Sequence, residues 1–259
     1  MELGLGGRRT LITGASRGIG LEIARTLAAE GGSVAICARE EGPLSEAEAE
    51  LRSLGATVFA ESVDVTESGR LAAFVEHAVD ALAGLDAVVA NAGGSSGGCL
   101  VESTSEQWQD TYQLNVGHAA DLVRAAMPYL AAADGAAAVL ISSISGSKPA
   151  PRAQYGASKA GLIYLAAALA RELSPQHIRV NAVSPGSILF PGGGWDSLRI
   201  SDPQRFQAFL DRDLPEGRLG TVQEVARVVA FLLSPAASWV NGANIAIDGA
   251  QGRPSSAGW

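Results

Sequence analysis

Short apolar runs alternate with longer segments of helical spacing along almost all of this 259-residue sequence. The short runs are rich in β-branched residues and lie at 10–13, 33–38, 57–60, 87–90, 137–141, 179–183 and 244–247. The longer segments repeat apolar residues every three or four positions and lie at 19–30, 44–54, 70–82, 106–130, 155–173 and 222–233. A strand followed by a helix, repeated in this way, predicts a parallel sheet wrapped by helices.

The short runs are apolar on successive residues, as in 87–90, which is typical of strands covered on both faces. We therefore predict an α/β fold, a Rossmann-type doubly wound parallel sheet of about seven strands with helices on both faces. No change in composition marks a second domain, so residues 1–259 are expected to form a single domain. The irregular stretch at 187–215 is expected to form a flap over the binding site.

Composition and charge argue against several classes of function. The net charge of −8 repels phosphate backbones, so nucleic acid is not an expected partner. No apolar run reaches the roughly 18 to 20 residues that cross a bilayer, and the first residues do not resemble a signal peptide. We therefore expect a cytoplasmic protein with no membrane span. Two cysteines and three histidines show no metal-ligand spacing, so no metal is expected.

A glycine-rich turn follows the first predicted strand and opens the first predicted helix. Glycines permit a tight turn and let backbone amides approach a pyrophosphate at a helix N-terminus. Because glycine also serves ordinary turns, the position of this turn in the alternating chain is what indicates a nucleotide site. The candidate residues are Gly14, Ser16, Arg17, Gly18, Ile19 and Gly20.

The end of the second predicted strand indicates which nucleotide the site prefers. Ala38 stands where an acid would bind the ribose hydroxyls of NAD, and Arg39 follows it. Arg39 and Arg17 can hold the 2′-phosphate of NADP between two guanidinium groups. NADP(H) is therefore favoured over NAD(H). The alternative is that Arg39 is solvated and that Glu40 or Glu41 contacts the ribose.

Tyr155 and Lys159 lie four residues apart on a predicted helix and therefore share a face. A free phenol has a pKa of about 10, too high for acid–base chemistry at neutral pH. A neighbouring ammonium and the positive ring of an oxidised nicotinamide both favour the phenolate and lower that pKa. Of 19 basic residues only Lys148 and Lys159 are lysines, which makes a lysine here informative. The alternative is a core tyrosine followed by a surface lysine; Lys148 itself is expected to be solvated.

These motifs, with others in the same order, resemble those of the short-chain dehydrogenase/reductase family, and the resemblance runs from about Arg9 to Asp248. The family's cofactor turn matches 13–20, and its tyrosine and lysine match the pair described above. Three further matches are Asp64-Val65 for the adenine-contacting pair, Asn91-Ala92-Gly93 for the motif that stabilises the central sheet, and Pro185-Gly186 for the turn beside the nicotinamide.

The resemblance implies a catalytic tetrad of Asn115, Ser143, Tyr155 and Lys159. Tyr155 would exchange a proton with the carbonyl or alcohol oxygen, and Ser143 would hold and polarise that oxygen. Lys159 would bind the nicotinamide ribose and lower the tyrosine pKa, while Asn115 would hold a water that carries protons to Lys159. Ser142 is a second candidate for the serine, although Ser143 aligns better with the family pattern.

The same resemblance implies a set of cofactor contacts beyond the glycine-rich turn and Arg39. They are Asp64, Val65, Asn91, Ala92, Gly93, Tyr155, Lys159, Pro185, Gly186 and Ile188. After Pro185-Gly186 the family's usual threonine is replaced, and Ser187 and Ile188 are the candidates for its role. Ala90 stands where the family often has a second asparagine, a difference that should affect packing more than chemistry.

The function implied is that of an NADP-dependent oxidoreductase that transfers a hydride between nicotinamide and a ketone or secondary alcohol. We expect a ketoreductase similar to 3-oxoacyl-(acyl-carrier-protein) reductases, with a small-molecule carbonyl or alcohol substrate. The alternatives are a dehydrogenase of a steroid, sugar or cyclic alcohol, and a non-catalytic NADP-binding sensor; a methyltransferase would leave Tyr155 and Lys159 unexplained. The family pairs the helices predicted at 106–130 and 155–173, so a homotetramer or a homodimer is expected.

Overall fold

Nine strands form within residues 3–252, the part of the chain that the computed structural model describes. They are β1 (Arg9–Thr13), β2 (Ser33–Ala38), β3 (Val58–Ser62), β4 (Ala87–Ala90), β5 (Ala137–Ile141), β6 (Arg179–Pro185), β7 (Ile188–Leu189), β8 (Gly220–Thr221) and β9 (Asn244–Ile247). Seven of them form one sheet in the order β3-β2-β1-β4-β5-β6-β9, with every neighbouring pair parallel. β7 and β8 pair separately.

The order of the strands creates the binding edge. The chain moves outward from β1 to β3, then crosses back to place β4 on the other side of β1. The loops that leave β1 and β4 therefore diverge to opposite faces, and a crevice opens between them at the carboxyl ends of the strands. The predicted doubly wound parallel sheet is confirmed.

Helices cover both faces of the sheet, and their bounds are as follows. They are α1 (Gly18–Ala29), α2 (Glu41–Ser53), α3 (Arg70–Leu82), α4 (Ser105–Tyr112), α5 (His118–Leu130), α6 (Ala153–Leu173), α7 (Gly194–Ser201), α8 (Pro203–Asp213) and α9 (Val222–Leu233). Successive residues of a strand pack into hydrophobic cores on opposite faces of the sheet. Leu11 packs in the core that includes α3, α5 and α6, whereas Ile12 packs in the core that includes α1, α2 and α9. Burial on both faces explains why the strands are continuously apolar.

The helix predicted over 106–130 is interrupted. α4 begins one residue earlier, because Thr104 caps it by accepting a hydrogen bond from the backbone of Gln107. A turn of π-helix at Gln113–Gly117 then separates α4 from α5. Within that turn Asn115 Nδ2 donates to the carbonyl of Thr111, so a side chain takes a backbone acceptor and the hydrogen-bond ladder shifts there. Apolar spacing alone does not distinguish such a bulge from a regular helix.

The stretch 187–215 is more regular than expected. It contains β7, α7 and α8, and it has a small core of its own in which Trp195 stacks on Phe209 with ring centroids 4.4 Å apart. The prediction of an irregular stretch is therefore wrong: the glycines at 192–194 lead into α7, and Phe206, Phe209 and Leu210 repeat at helical spacing in α8. Across the described part of the chain, none of the helices has the length and apolarity needed to span a bilayer.

Candidate active site

A cleft of about 530 Å³ lies at the carboxyl ends of the central strands. It is lined by every residue predicted above to bind the cofactor or to act in catalysis, except Gly20 and Asn115. Gly20 is buried in the first turn of α1, behind the glycine-rich turn. Residues distant in the sequence thus meet at one edge, as expected for loops that follow neighbouring parallel strands.

The floor of the cleft is a set of hydrogen bonds between the ends of β1 and β4. Thr13 Oγ1 accepts from the backbone N–H groups of Asn91 (3.0 Å) and Ala92 (3.1 Å). In return, Asn91 Nδ2 donates to the carbonyl oxygens of Thr13 and Gly14, each at 2.9 Å. The glycine-rich turn is therefore fixed to the loop after β4, and both are held in place for a ligand.

The N-terminus of α1 suits an anion. No side chain caps this helix, and its first turn contains no acidic residue. Its first N–H groups therefore lack an intrahelical partner, and the helix dipole adds positive potential where Gly18 and Ile19 line the cleft. These features fit the pyrophosphate of a dinucleotide.

Arg17 and Arg39 also line the cleft, and within residues 3–252 neither forms an ion pair. The pKa of Asp64 lies below its usual value, mainly because Thr66 Oγ1 donates to it at 2.6 Å and in smaller part because Arg39 is near. Two exposed guanidinium groups that line one cleft fit a phosphate. Glu40 lines the same cleft, so the alternative ribose contact is also close by.

Lys159 is the most unusual titratable group of the site. Its side chain is buried, and Nζ donates to the carbonyl oxygen of Ile141 at 2.9 Å. Desolvation lowers the pKa of Lys159 to about 7, because among residues 3–252 no carboxylate forms an ion pair with it. The amine is thus poised to gain or lose a proton near neutral pH.

Tyr155 lies on the same face of α6, and Lys159 Nζ is 5.5 Å from the centroid of its ring. Burial raises the pKa of Tyr155, and hydrogen bonding with the Ser143 hydroxyl lowers it in part. The expectation that Lys159 lowers this pKa is therefore not met in the protein alone. The physical reason is that Lys159 is itself desolvated and loses much of its charge near neutral pH.

The structure distinguishes the two candidate serines. Ser143 is paired with Tyr155 and accepts a hydrogen bond from the backbone N–H of Ser145 at 3.1 Å. Ser142 is buried, and its hydroxyl donates to the backbone carbonyl of Lys159 at 2.7 Å, so it packs α6 onto β5. Both serines line the cleft, and the hydroxyl of Ser143 is the one that lies beside the Tyr155 phenol.

Asn115 lies beside the site without lining the cleft. Its Nδ2 donates to the carbonyl of Gly94 at 2.6 Å, and its Oδ1 accepts from the Gly94 backbone at 3.3 Å. A Cβ on Gly93 would lie 2.8 Å from Asn115 Oδ1 and 3.1 Å from Lys159 Nζ. Glycine at position 93 therefore makes room for the asparagine and the lysine to approach each other.

Several residues that sequence reasoning missed lie in or near the site. Leu114 and Phe190 add apolar surface to the cleft. Trp195, an aromatic residue among glycines that the sequence left open as a substrate contact, lines the cleft as well. His118 is buried with Nε2 3.4 Å from Thr13 Oγ1, and desolvation lowers its pKa to about 4. Lys148, expected to be solvated, instead forms an ion pair with Asp248.

No group of three or more histidine, cysteine, aspartate or glutamate side chains suited to a metal ion occurs within residues 3–252. Hydroxyl, phenol and amine groups of Ser143, Tyr155 and Lys159 line this cleft together. Those groups, beside an anion-binding helix terminus, suit proton exchange with a substrate oxygen next to a bound dinucleotide.

Comparison with known proteins agrees with this geometry. Residues 14–250 match the family described as Enoyl-(Acyl carrier protein) reductase. The chain is 33% identical over 258 residues to isoepoxydon dehydrogenase of Penicillium expansum, with 96% of each chain covered. It is 34% identical over 246 residues to 3-oxoacyl-(acyl-carrier-protein) reductase of Staphylococcus aureus, with 93% of this chain and 97% of that protein covered.

A solved structure of L-sorbose reductase from Gluconobacter frateurii, complexed with NADPH and L-sorbose, superimposes with a TM-score of 0.91. The two chains are 32% identical, and the match covers 97% of this chain and 98% of the other. The chain therefore belongs to the short-chain dehydrogenase/reductase family. It is an oxidoreductase that acts between CH–OH and C=O groups.

The buried amine predicts a particular pH dependence of stability for the nucleotide-free protein. Between about pH 7 and about pH 10 the unfolded chain holds a proton on Lys159 that the folded chain lacks, so the free energy of unfolding rises with pH. In Lys159→Met this contribution disappears. The wild-type curve should be steeper than that of the variant by up to about 1.4 kcal/mol per pH unit.

Urea unfolding of both proteins at intervals from pH 7 to pH 9.5 measures the difference. Parallel curves for wild type and Lys159→Met would show that Lys159 is charged in the folded protein throughout this range.

Proposed function

We propose that this chain is an NADP(H)-dependent ketoreductase in which Tyr155 is the proton donor and Ser143 holds the substrate oxygen. One observation carries the proposal: Ser143, Tyr155 and Lys159 line the same cleft as the uncapped N-terminus of α1. An anion-binding terminus and a hydroxyl–phenol–amine set in one cavity match the needs of a dinucleotide oxidoreductase.

The roles of the side chains follow from their chemistry. The nicotinamide, when bound, supplies or accepts a hydride. Ser143 Oγ donates a hydrogen bond to the carbonyl oxygen of the substrate and polarises it. Tyr155 Oη gives that oxygen a proton during reduction and takes it back during oxidation. Lys159, which needs a partner for its charge, binds ribose hydroxyls and favours the tyrosinate when it is protonated.

Asn115 holds the backbone beside Lys159 and a water that exchanges protons with it. Two observations support a role of this kind: the close approach of Asn115 and Lys159 around Gly93, and the bulged turn that carries the asparagine. Single π-helical turns inside α-helices are rare and occur frequently at functional sites.

The cofactor contacts are proposed as one continuous set. Gly14, Ser16, Gly18 and Ile19 hold the pyrophosphate, and Gly20 allows the turn to close behind them. Arg17 and Arg39 hold the 2′-phosphate, which is why NADP(H) is favoured over NAD(H). The adenine and nicotinamide ends are contacted by Asp64, Val65, Asn91, Ala92, Gly93, Pro185, Gly186 and Ile188.

The substrate proposed is a small ketone or the corresponding secondary alcohol, with 3-oxoacyl thioesters as the first class to test. Leu114, Phe190 and Trp195 give the cleft an apolar wall that suits an acyl chain or a ring. The stretch 187–215, which supplies two of these residues, is proposed to act as the flap that sets specificity within one domain of residues 1–259.

We also propose that the chain works as a cytoplasmic homotetramer or homodimer. Tyr112 on α4 and Tyr164 on α6 are large aromatic side chains that are 55% and 77% exposed. Their exposure supports the pairing of these helices with a second copy. Light scattering of the purified protein measures the assembly directly.

The proposed activity predicts turnover in a defined assay. Purified protein should consume NADPH in the presence of at least one member of a panel of ketones and 3-oxoacyl thioesters, followed by the loss of NADPH absorbance. NADH in parallel should give a kcat/KM at least about tenfold lower, since it lacks the phosphate that the arginines bind. Tight NADPH binding with no turnover across the panel would favour the sensor alternative.

The phosphate contact predicts a selective loss in Arg39→Ala. The KM for NADPH should rise by about 10- to 100-fold, the scale of one charge-assisted hydrogen bond, while the KM for NADH stays within about twofold. Arg171→Ala is the matched control, because Arg171 is exposed in the last turn of α6, at the end of that helix opposite to Tyr155. Equal losses for NADPH and NADH in Arg39→Ala would place the phosphate elsewhere.

A further inference from the structure

Gln251 is a buried glutamine that the proposed chemistry does not use. It follows β9 in a short polar segment, and yet its side chain is fully buried. Burial of an amide destabilises the folded protein unless both its donor and its acceptor form hydrogen bonds. The partners of Gln251 therefore show what it does.

Both the donor and the acceptor of this amide form a hydrogen bond with Ser187. The backbone N–H of Ser187 donates to Gln251 Oε1 at 2.8 Å, and Gln251 Nε2 donates to Ser187 Oγ at 3.0 Å. Ser187 is itself buried, and it does not line the cleft. Its hydroxyl is directed to Gln251, which leaves Ile188 as the residue after the turn that faces the cleft.

A second contact joins the same segment to the loop that carries the candidate serine. Lys148 follows Ser143 by five residues, and its Nζ lies 2.8 Å from Asp248 Oδ2. Lys148 Nζ also donates to the backbone carbonyl of Gln251. The Asp248 side chain is only 12% exposed, so this ion pair is partly shielded from water.

The turn at Gly186 lies directly between these contacts and the cleft. A Cβ on Gly186 would lie 2.7 Å from Gln251 Oε1 and 2.9 Å from Asp248 Cα. Pro185, Gly186 and Ile188 line the same cavity as Tyr155. The backbone on one side of the cleft therefore rests on the segment 248–252.

The segment also holds the proposed flap. The backbone N–H of Gly252 donates to the carbonyl of Asp213, the last residue of α8, at 2.9 Å. Residues 248–252 thus contact three parts of the chain: the loop after Ser143, the turn at Gly186, and the end of the flap.

We propose that Gln251, supported by the Lys148–Asp248 ion pair, is a positioning residue that fixes the Gly186–Ser187 turn against the nicotinamide end of the bound cofactor. The proposal rests on the proposed function, since it assumes that this cleft binds NADP(H). In this proposal Gln251, which lies near the end of the described chain, affects cofactor binding through the turn and does not contact the cofactor itself. The adenine end, held by the glycine-rich turn and Arg39, lies outside the influence of Gln251.

The test compares two ligands in Gln251→Leu, a variant of similar size that cannot form either hydrogen bond. NADPH contains the nicotinamide end, and adenosine 2′,5′-bisphosphate contains only the adenine end. Titration at a temperature well below the melting point should show an affinity for NADPH about tenfold lower, the scale of one to two lost hydrogen bonds. The affinity for adenosine 2′,5′-bisphosphate should stay within about twofold.

Two further variants complete the design. Ser187→Ala removes the Oγ acceptor and keeps the backbone contact, so the affinity for NADPH should fall by about threefold. This variant replaces Gln251→Leu in the test if Gln251→Leu does not fold. Gln176→Leu is the matched control, since Gln176 is exposed in the turn that follows α6. It should bind both ligands as the wild type does.

A purely structural role for Gln251 would lower the melting temperature and leave both affinities unchanged, and that result would overturn the proposal. Equal weakening of both ligands would also overturn it, because the effect would not be confined to the nicotinamide end. If the wild-type protein bound neither ligand, the proposed function itself would fail.

Discussion

A buried lysine that forms no ion pair with a carboxylate within residues 3–252 is the constraint on which the rest of this site depends. Lys159 Nζ has the carbonyl of Ile141 as its acceptor, and the pKa of about 7 records what desolvation costs the charged form. Such a group destabilises a fold unless a ligand satisfies it. The side chain of Lys159 lies in the space that Gly93 leaves open beside Asn115. In the proposed function, the ribose hydroxyls of the cofactor would supply the partner that this amine needs.

The rest of the molecule brings fixed backbone to that amine. Parallel pairing places the ends of β1, β4, β5 and β6 at one edge, and hydrogen bonds between Thr13 and Asn91 join two of the loops there. The segment that follows β9 supports a further part of the edge through Gln251. The site is therefore held from several elements at once, a form of preorganisation that keeps reacting groups in place before a substrate arrives.

The sequence was sufficient to predict the sheet, since seven apolar runs correspond to its seven strands. It was also sufficient to predict that the motif residues meet in one cleft, because residues that follow neighbouring parallel strands lie at the same edge of a sheet. It was insufficient where a long-range partner decides the local structure. The bulge that carries Asn115 forms where its side-chain amide donates to both Thr111 and Gly94, and the ion pair of Lys148 depends on Asp248, one hundred residues away. The pKa of Tyr155 depends on burial, which spacing along a helix does not reveal. The two helices of the proposed flap, α7 and α8, were missed, although Phe206, Phe209 and Leu210 repeat at helical spacing in α8.

The central claim is that Tyr155 supplies the proton and that the remaining groups position it. The most direct measurement is the turnover of Tyr155→Phe with NADPH and an active ketone, beside its affinity for NADPH. Tyr164→Phe, an exposed tyrosine on the same helix, is the control that should match the wild type. The account predicts an unchanged affinity for NADPH and turnover at least about a hundredfold slower in Tyr155→Phe, the scale of general acid catalysis. Near-normal turnover in that variant would contradict it.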